Sequence, residues 1–258
     1  MFDRLNEKMT ARSSALLLKI DNGLDRILQG WLLVAGLLSA ARIAFTPHPG
    51  GEAAASTIGS YLLVIVGPFV STLLALRWFD DGDRQPQPTT RLARFGRWQN
   101  VGRLEAIRHP LYGSSGIMVS LLVGIMFNVP VRAAEYLAAM PPLPLSPPAW
   151  LVALHFALTF DVVLFGSLYM IAFVAALRRV PLFPRLLVAI WIGDLAMQLV
   201  TAQLVVNAGG LPSAVSTALH HLLEGNVKKV LISMALWLPY LLLSTRVNVT
   251  YRHRAPID

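Results

Sequence analysis

"WLVALHFALTFDVVLFGSLYMIAFVAALRRVPLFPRLLVAIWIGDLAMQLVTAQLVVN", residues 150–207, decides the fold. Two apolar runs flank a tight basic turn, Arg178-Arg179-Val180-Pro181-Leu182-Phe183-Pro184-Arg185, and each run contains one acid, Asp161 or Asp194. A helix that spans a bilayer needs about 20 mainly apolar residues, and each run is that long. The stretch therefore reads as a transmembrane hairpin.

The rest of the chain agrees. Of 258 residues, 55% are hydrophobic and only 14% charged, with a mean hydropathy of +0.58. A soluble domain carries about a quarter charged residues, so this composition belongs in lipid. Working outward from the hairpin, apolar runs at 27–45, 57–76, 111–131 and 230–243 join 150–177 and 186–206 to give six spans. The fold class is an all-α polytopic bundle, with a segment 1–26, a transmembrane domain 27–246 containing a basic loop 77–110, and a tail 247–258. Pro47, Pro49, Gly50 and Gly51 are expected to end the first span, and Gly67-Pro68 to kink the second. The loop holds one expected short helix near 91–107. Residues 132–148 read as an extramembrane loop with a short interfacial helix and five prolines, and 207–226 as a second interfacial helix.

The net charge is +8, and its distribution speaks for topology rather than nucleic acid, because the positive residues cluster between apolar runs and no aromatic-basic module accompanies them. The first segment, the long loop, the hairpin turn and the tail hold 18 Lys and Arg, against Arg42, Arg132, Lys228 and Lys229 on the other side. The positive-inside rule then places both termini in the cytoplasm. With no cysteine, disulfides and thiolate metal sites are excluded. No cofactor, metal or catalytic set is expected, and 18 Arg against 4 Lys hints at a GC-rich bacterium.

Asp161 and Asp194 are the first candidate site. Counted along their runs at 1.5 Å per residue, both fall within about 5 Å of the midplane. An ionised acid there costs about 2.5–3.5 kcal/mol even on the insertion scale, so each is expected to face the bundle interior. With Arg132 assigned to a loop, no Lys or Arg is expected at that depth, and the candidate partners are Gln198, Asn128 and Gln203. A proton or cation relay is the functional reading, and interhelical packing of two bonded acids the bland one. Gly116, Ser120 and Gly124 recur four apart, a small-residue stripe that lets another helix approach closely. Arg178, Arg179, Arg185 and Arg246 are expected at one membrane face, where each attracts an anionic headgroup or a partner by about 1 kcal/mol; they also set orientation.

Three motifs carry less. "RHPLYGSS", residues 108–115, resembles the Arg-His-Pro-x-Tyr signature of membrane isoprenylcysteine-type methyltransferases, which implies S-adenosylmethionine binding at Arg108 and His109. The downstream Glu and Tyr-rich stretch of that family are missing here, and a helix-start turn at Pro110 outweighs it. "DDGD", residues 80–83, lacks calcium-loop spacing. His220, His221 and Glu224 could ligate zinc as a cluster, but adjacent histidines diverge by about 100° on a helix, so a polar interfacial face is the better reading.

Three pieces resemble the bacterial membrane family catalogued as domain of unknown function 2569: "GWLL" at 30–33, the turn "LRRVPLFPR", and "LWLPYLLLSTRVNVTY" with Trp237, Pro239, Tyr240, Ser244, Arg246, Val247, Thr250 and Tyr251. The resemblance covers about 22–46 and 160–251 and implies a multi-pass protein of a bacterial inner membrane, with 47–150 added. Three functions are open: an accessory subunit working through lipid contacts and through a membrane-protein partner or a homo-oligomer, a small proton-coupled permease using the two acids, and a membrane methyltransferase.

Overall fold

The structure is a computed structural model that describes residues 2–46, 55–90 and 96–257, with side chains from 10 and from 57 onward in the first two segments. The expected stop at Pro47, Pro49, Gly50 and Gly51 lies outside these residues, as do 91–95 of the basic loop. Among the described residues, six helices are long and apolar enough to cross a membrane. They are α2 (Leu24–Phe45), α3 (Ala55–Trp78), α5 (Ile117–Ala139), α6 (Ala149–Leu177), α7 (Phe183–Asn207) and α8 (Ser213–Leu243). Ahead of them runs α1 (Phe2–Asn22), and between α3 and α5 lie β1 (Trp98–Asn100) and α4 (Arg103–Arg108). After α8 come α9 (Thr245–Arg252) and β2 (Arg254–Pro256).

The hairpin is the centre of the bundle. Helix α6 is about 43 Å long at 1.5 Å per residue and packs on α3, α5 and α7. A helix apolar all round is one that is buried all round, and two thirds of its most apolar window is enclosed, against 17% for α2 and 11% for α8. Those two outer helices face whatever surrounds the bundle. The turn of the hairpin is a Schellman cap: Val180 N–H donates to Ala175 O (2.8 Å) and Arg179 N–H to Ala176 O (3.2 Å). Arg179 holds the left-handed position with φ +56°, and its guanidinium lies 5.4 Å from the centre of the Tyr112 ring.

Close helix approach occurs where sequence did not place it. Ideal Cβ atoms at Gly67 of α3 and Gly166 of α6 would lie 3.2 Å from Val163 Cγ1 and 3.3 Å from Pro68 Cγ, so these glycines set the α3–α6 crossing. Gly116, by contrast, is the residue before α5, with φ +65°, and a Cβ at Gly116 or Gly124 would meet nothing within 4 Å. Among the described residues α1 comes near the expected stripe, through Ser13 at Gly116 and across a hollow bordered by Leu16, Ser120 and Gly124, but without close helix-on-helix contact. Gly166→Leu is expected to force α3 from α6 and to lower stability by about 1–3 kcal/mol, the usual cost of overpacking. Denaturation in detergent followed by tryptophan fluorescence measures it.

Four boundaries differ from the sequence expectation, the first being that α5 starts at Ile117 and not at 111, so Pro110 lies in the turn after α4 and does not start the span. Helix α5 does not stop at Val131 but runs on through Pro130 to Ala139, because neighbouring helices support a proline-broken backbone. Arg132 is therefore inside a span and not in a loop. Residues 213–243 form one continuous helix of about 46 Å instead of an interfacial helix followed by a short span. In the described part of the long loop, from 96 on, the helix expected near 91–107 is limited to α4, preceded by β1.

The expected tail is not a loose end. Val247, Val249 and Tyr251 of α9 are fully buried, and β2 pairs antiparallel with β1, Gln99 opposite Ala255. Tyr251 OH and Ser114 Oγ lie 2.9 Å apart, and both reach Ala176 O, at 2.9 and 3.2 Å. That carbonyl is among the last four of α6, which have no partner within the helix. Gly113 N–H donates to Thr250 Oγ1 (3.0 Å), Gly116 N–H to Ser13 Oγ (2.8 Å), and Arg178 pairs with Asp21 at 3.6 Å. Thus α1, the long loop, the hairpin turn and the tail form one cap over one end of the bundle. Burial raises the Tyr112 and Tyr251 hydroxyls above their ordinary range, so both remain protonated, and Tyr251 keeps its bond to Ala176 O. Arg252, buried beside Arg254, is pushed down to about 10 and stays charged at neutral pH.

Candidate functional site: an intramembrane arginine between two aspartates

Two apolar cores fill the bundle, one toward the cap around Phe165, Phe173 and Trp191, the other toward the opposite end around Tyr61, Tyr136 and Leu158. A charged layer lies between them. Arg132 of α5 sends a two-pronged bond to Asp194 of α7, with Nη1 to Oδ2 at 2.7 Å and Nη2 to Oδ1 at 2.8 Å. The same Nη2 reaches Asp161 of α6 at 2.9 and 3.1 Å. Tyr169 OH donates to Asp194 (3.0 Å), Gln198 Nε2 to both acids (3.2 Å each), and Asn226 of α8 to Gln198 Oε1 (3.3 Å). Four helices meet at one guanidinium and its two acids.

The expectation that no cation reaches the depth of the acids is corrected by this geometry. A hydropathy reading ends a span at the first arginine. Here the arginine continues the helix because its charge is matched on the neighbouring helices, which the reading of one span at a time cannot register. The Arg132 side chain is 12% exposed, Asp161 4% and Asp194 0%. A plane of two parallel N–H bonds fits a carboxylate as an ammonium does not. Arg132 also lies 5.2 Å from the centre of the Phe165 ring, while its Nε has no partner among the described residues.

The centre is short of one positive charge. With both acids ionised, two negative charges meet one guanidinium in a site of low dielectric, and a lone buried charge is costly there. A proton or a second cation balances it. Two cavities adjoin the centre. One, of about 310 Å³, lies toward the cap and is bordered by Arg132, Tyr169, Trp191, Asp194 and Trp237. The other, of about 580 Å³, lies toward the opposite end and is bordered by Arg132, Tyr136, Leu158, Asp161 and His221. Asn226 and the Glu135–Lys229 ion pair, which ties α5 to α8, border both.

Of the partners expected from sequence, Gln198 bonds both acids. Asn128 borders the smaller cavity, and Gln203 donates to Asn207 at an exposed site instead. Arg132 and Tyr169 were missed, although Arg132 follows a span directly and was a visible signal. The basic residues of the hairpin and tail are engaged within the cap. Arg246 donates to the Leu111 and Gly113 carbonyls (3.3 Å each) and to Ser115 Oγ (2.5 Å), and Arg185 to Thr90. In "RHPLYGSS", His109 Nδ1 accepts from Leu111 N–H (3.1 Å), as a turn residue does. Glu224 pairs with Lys228 at 2.7 Å, and no group of three or more His, Asp or Glu among the described residues is placed to hold a metal. No family model, no curated protein and no solved structure matches the chain.

Proposed function

We propose that this multi-pass membrane protein is a proton-coupled carrier of a bacterial inner membrane, with its cap and both termini in the cytoplasm. The observation behind this reading is the Arg132–Asp161–Asp194 centre, one positive charge short, with a cavity on each side along the bundle axis. Acids inside spans mark ion and substrate paths by default, and a site at mid-depth between two cavities is the layout that alternating access requires. In this reading the centre carries one exchangeable proton, and Arg132 keeps the remaining charge soluble in the bundle. The 18-to-4 distribution of Lys and Arg supports the orientation, and the likeness to the family of unknown function 2569 supports a bacterial inner membrane.

Proteoliposomes on a solid-supported membrane test it. Under an imposed pH gradient, solutes from several chemical classes are offered in turn. Wild-type protein is expected to give a transient current with at least one class, and Asp194→Asn none at equal incorporation. No current above protein-free liposomes with any class, or an unchanged current in the variant, would refute the reading.

A second reading is an accessory subunit that acts through helix contacts with a partner or a second copy. The exposed face of α8 favours it: Leu231, Met234, Leu238, Pro239 and Leu242 border an apolar hollow of about 650 Å³. Purification in mild detergent distinguishes it, since a strictly monomeric species without a partner counts against it.

A further inference from the structure

We propose that the groove between α5 and α8 binds an amphipathic organic monocation, which reaches it sideways from the lipid and replaces the proton of the Arg132–Asp161–Asp194 centre. The proposal rests on the carrier reading and names its substrate class. Helices α5 and α8 are tied by the Glu135–Lys229 pair and by Asn226 reaching the centre through Gln198, but toward the cap they stand apart. The gap is the cavity of about 310 Å³, at the small end of the roughly 300–1,000 Å³ typical of sites for drug-sized ligands.

Its walls and its floor recognise different parts of such a molecule. Trp237 and Phe127 stand at the sides, and Phe127 is 58% exposed toward the surroundings of the bundle. The rim is therefore apolar and continuous with the lipid-facing surface. At the floor lie Tyr169, Trp191 and Asp194. Aromatic faces attract an organic cation, and the acids behind them supply the charge that it must meet.

An anion finds no free charged amino group here, and of the guanidinium only the buried Nε is left without a partner among the described residues. Both amino groups of Arg132 are bonded to Asp161 and Asp194, and Lys229 is bonded to Glu135. The groups bonded to the two acids are Arg132 from α5, Tyr169 from α6, Gln198 from α7 and, through Gln198, Asn226 from α8; the Glu135–Lys229 pair, of no net charge, and His221 share the cavity walls with them without bonding either acid. Tyr169 and Gln198 are hydrogen-bond donors at neutral charge, so the deficit is one positive charge. One proton fills it at rest. When the monocation enters, a carboxyl releases that proton to water as the cation takes over the charge, and the total charge of the site is unchanged. A carrier that must hold one or the other exchanges them across the membrane.

Tetraphenylphosphonium is the probe, with tetraphenylborate as an anion of the same shape. Binding to the full chain in nanodiscs is read by equilibrium dialysis and tryptophan quenching against protein-free nanodiscs, and proton release by an indicator dye in weak buffer. The expected result is one saturable site for the phosphonium, release of about one proton per ion, and affinity that tightens up to about tenfold per pH unit. Asp194→Asn abolishes the release and the pH dependence, and Trp237→Ala weakens binding at least tenfold with an unchanged thermal midpoint. Equal binding of tetraphenylborate, no proton release by wild-type protein, or full affinity in Trp237→Ala overturns the proposal. Currents evoked only by neutral or anionic solutes would sink it while leaving the carrier reading intact, whereas a protein silent to every solute removes both.

Discussion

Arg132→Ala lowers the stability of the detergent-solubilised protein by roughly 3–5 kcal/mol, the usual cost of removing one partner from a buried ion pair. The loss comes from the two carboxylates left without a guanidinium on α6 and α7, at 4% and 0% exposure. The triple variant Arg132→Met, Asp161→Asn, Asp194→Asn is expected to regain most of it, because a buried ion group replaced whole by neutral residues is often neutral in stability. Arg132→Lys falls between, since a point charge cannot bond both oxygens of Asp194 and reach Asp161 together. Urea denaturation followed by tryptophan fluorescence separates the four proteins. The triple variant also divides the roles of the site: if it folds well and carries no current, the charges serve transport and not assembly. A triple variant as unstable as Arg132→Ala would mean that packing around Arg132, and not charge balance, dominates.

Tyr251→Ala is expected to cost about 3–5 kcal/mol, as for other large aromatic side chains removed from a core. The ring is 1% exposed and lies 5.1 Å from the centre of the Phe183 ring. Its hydroxyl is one of three groups, with Ser114 Oγ and the Arg179 N–H, that reach Ala176 O at the end of α6. Tyr251→Phe keeps the ring and removes only that bond, so its cost is expected near 1 kcal/mol. The loss in Tyr251→Ala falls on the cap and not on the spans. Trypsin should therefore cleave the long loop at Arg84, Arg97, Arg103 or Arg108 sooner than in wild-type protein, while the helical signal by circular dichroism changes little. A digestion rate unchanged from wild type would show that α9 is not what holds the loop in place.

The two results bear on different kinds of information in the chain. The cap is written partly in "LYGSSG" and "STRVNVTY", but those segments lie more than a hundred residues apart, and nothing local says that Ser114 will meet Tyr251. A polar tail rich in Arg reads as solvated. Here its Tyr251 is bonded to Ala176 O, one of the last carbonyls of α6, which have no partner within the helix whatever its sequence. The small-residue stripe shows the converse error. Gly116, Ser120 and Gly124 have helical spacing, but α5 begins one residue after Gly116, and the close contact falls to Gly67 and Gly166 beside Pro68. Spacing states that a helix could approach, while the direction of approach depends on the other helix.

What the sequence determined alone is the number of membrane-length helices and the places of Asp161 and Asp194 along them. Both follow from one-dimensional quantities, run length and residue count, that the thickness of a bilayer turns into position. Only the tertiary structure decided that Arg132 belongs inside the bundle. A single arginine on one helix is too costly to bury, and the same arginine bonded to two carboxylates on two other helices is not. The energy that keeps it there is a property of three helices at once, and no window on one of them contains it.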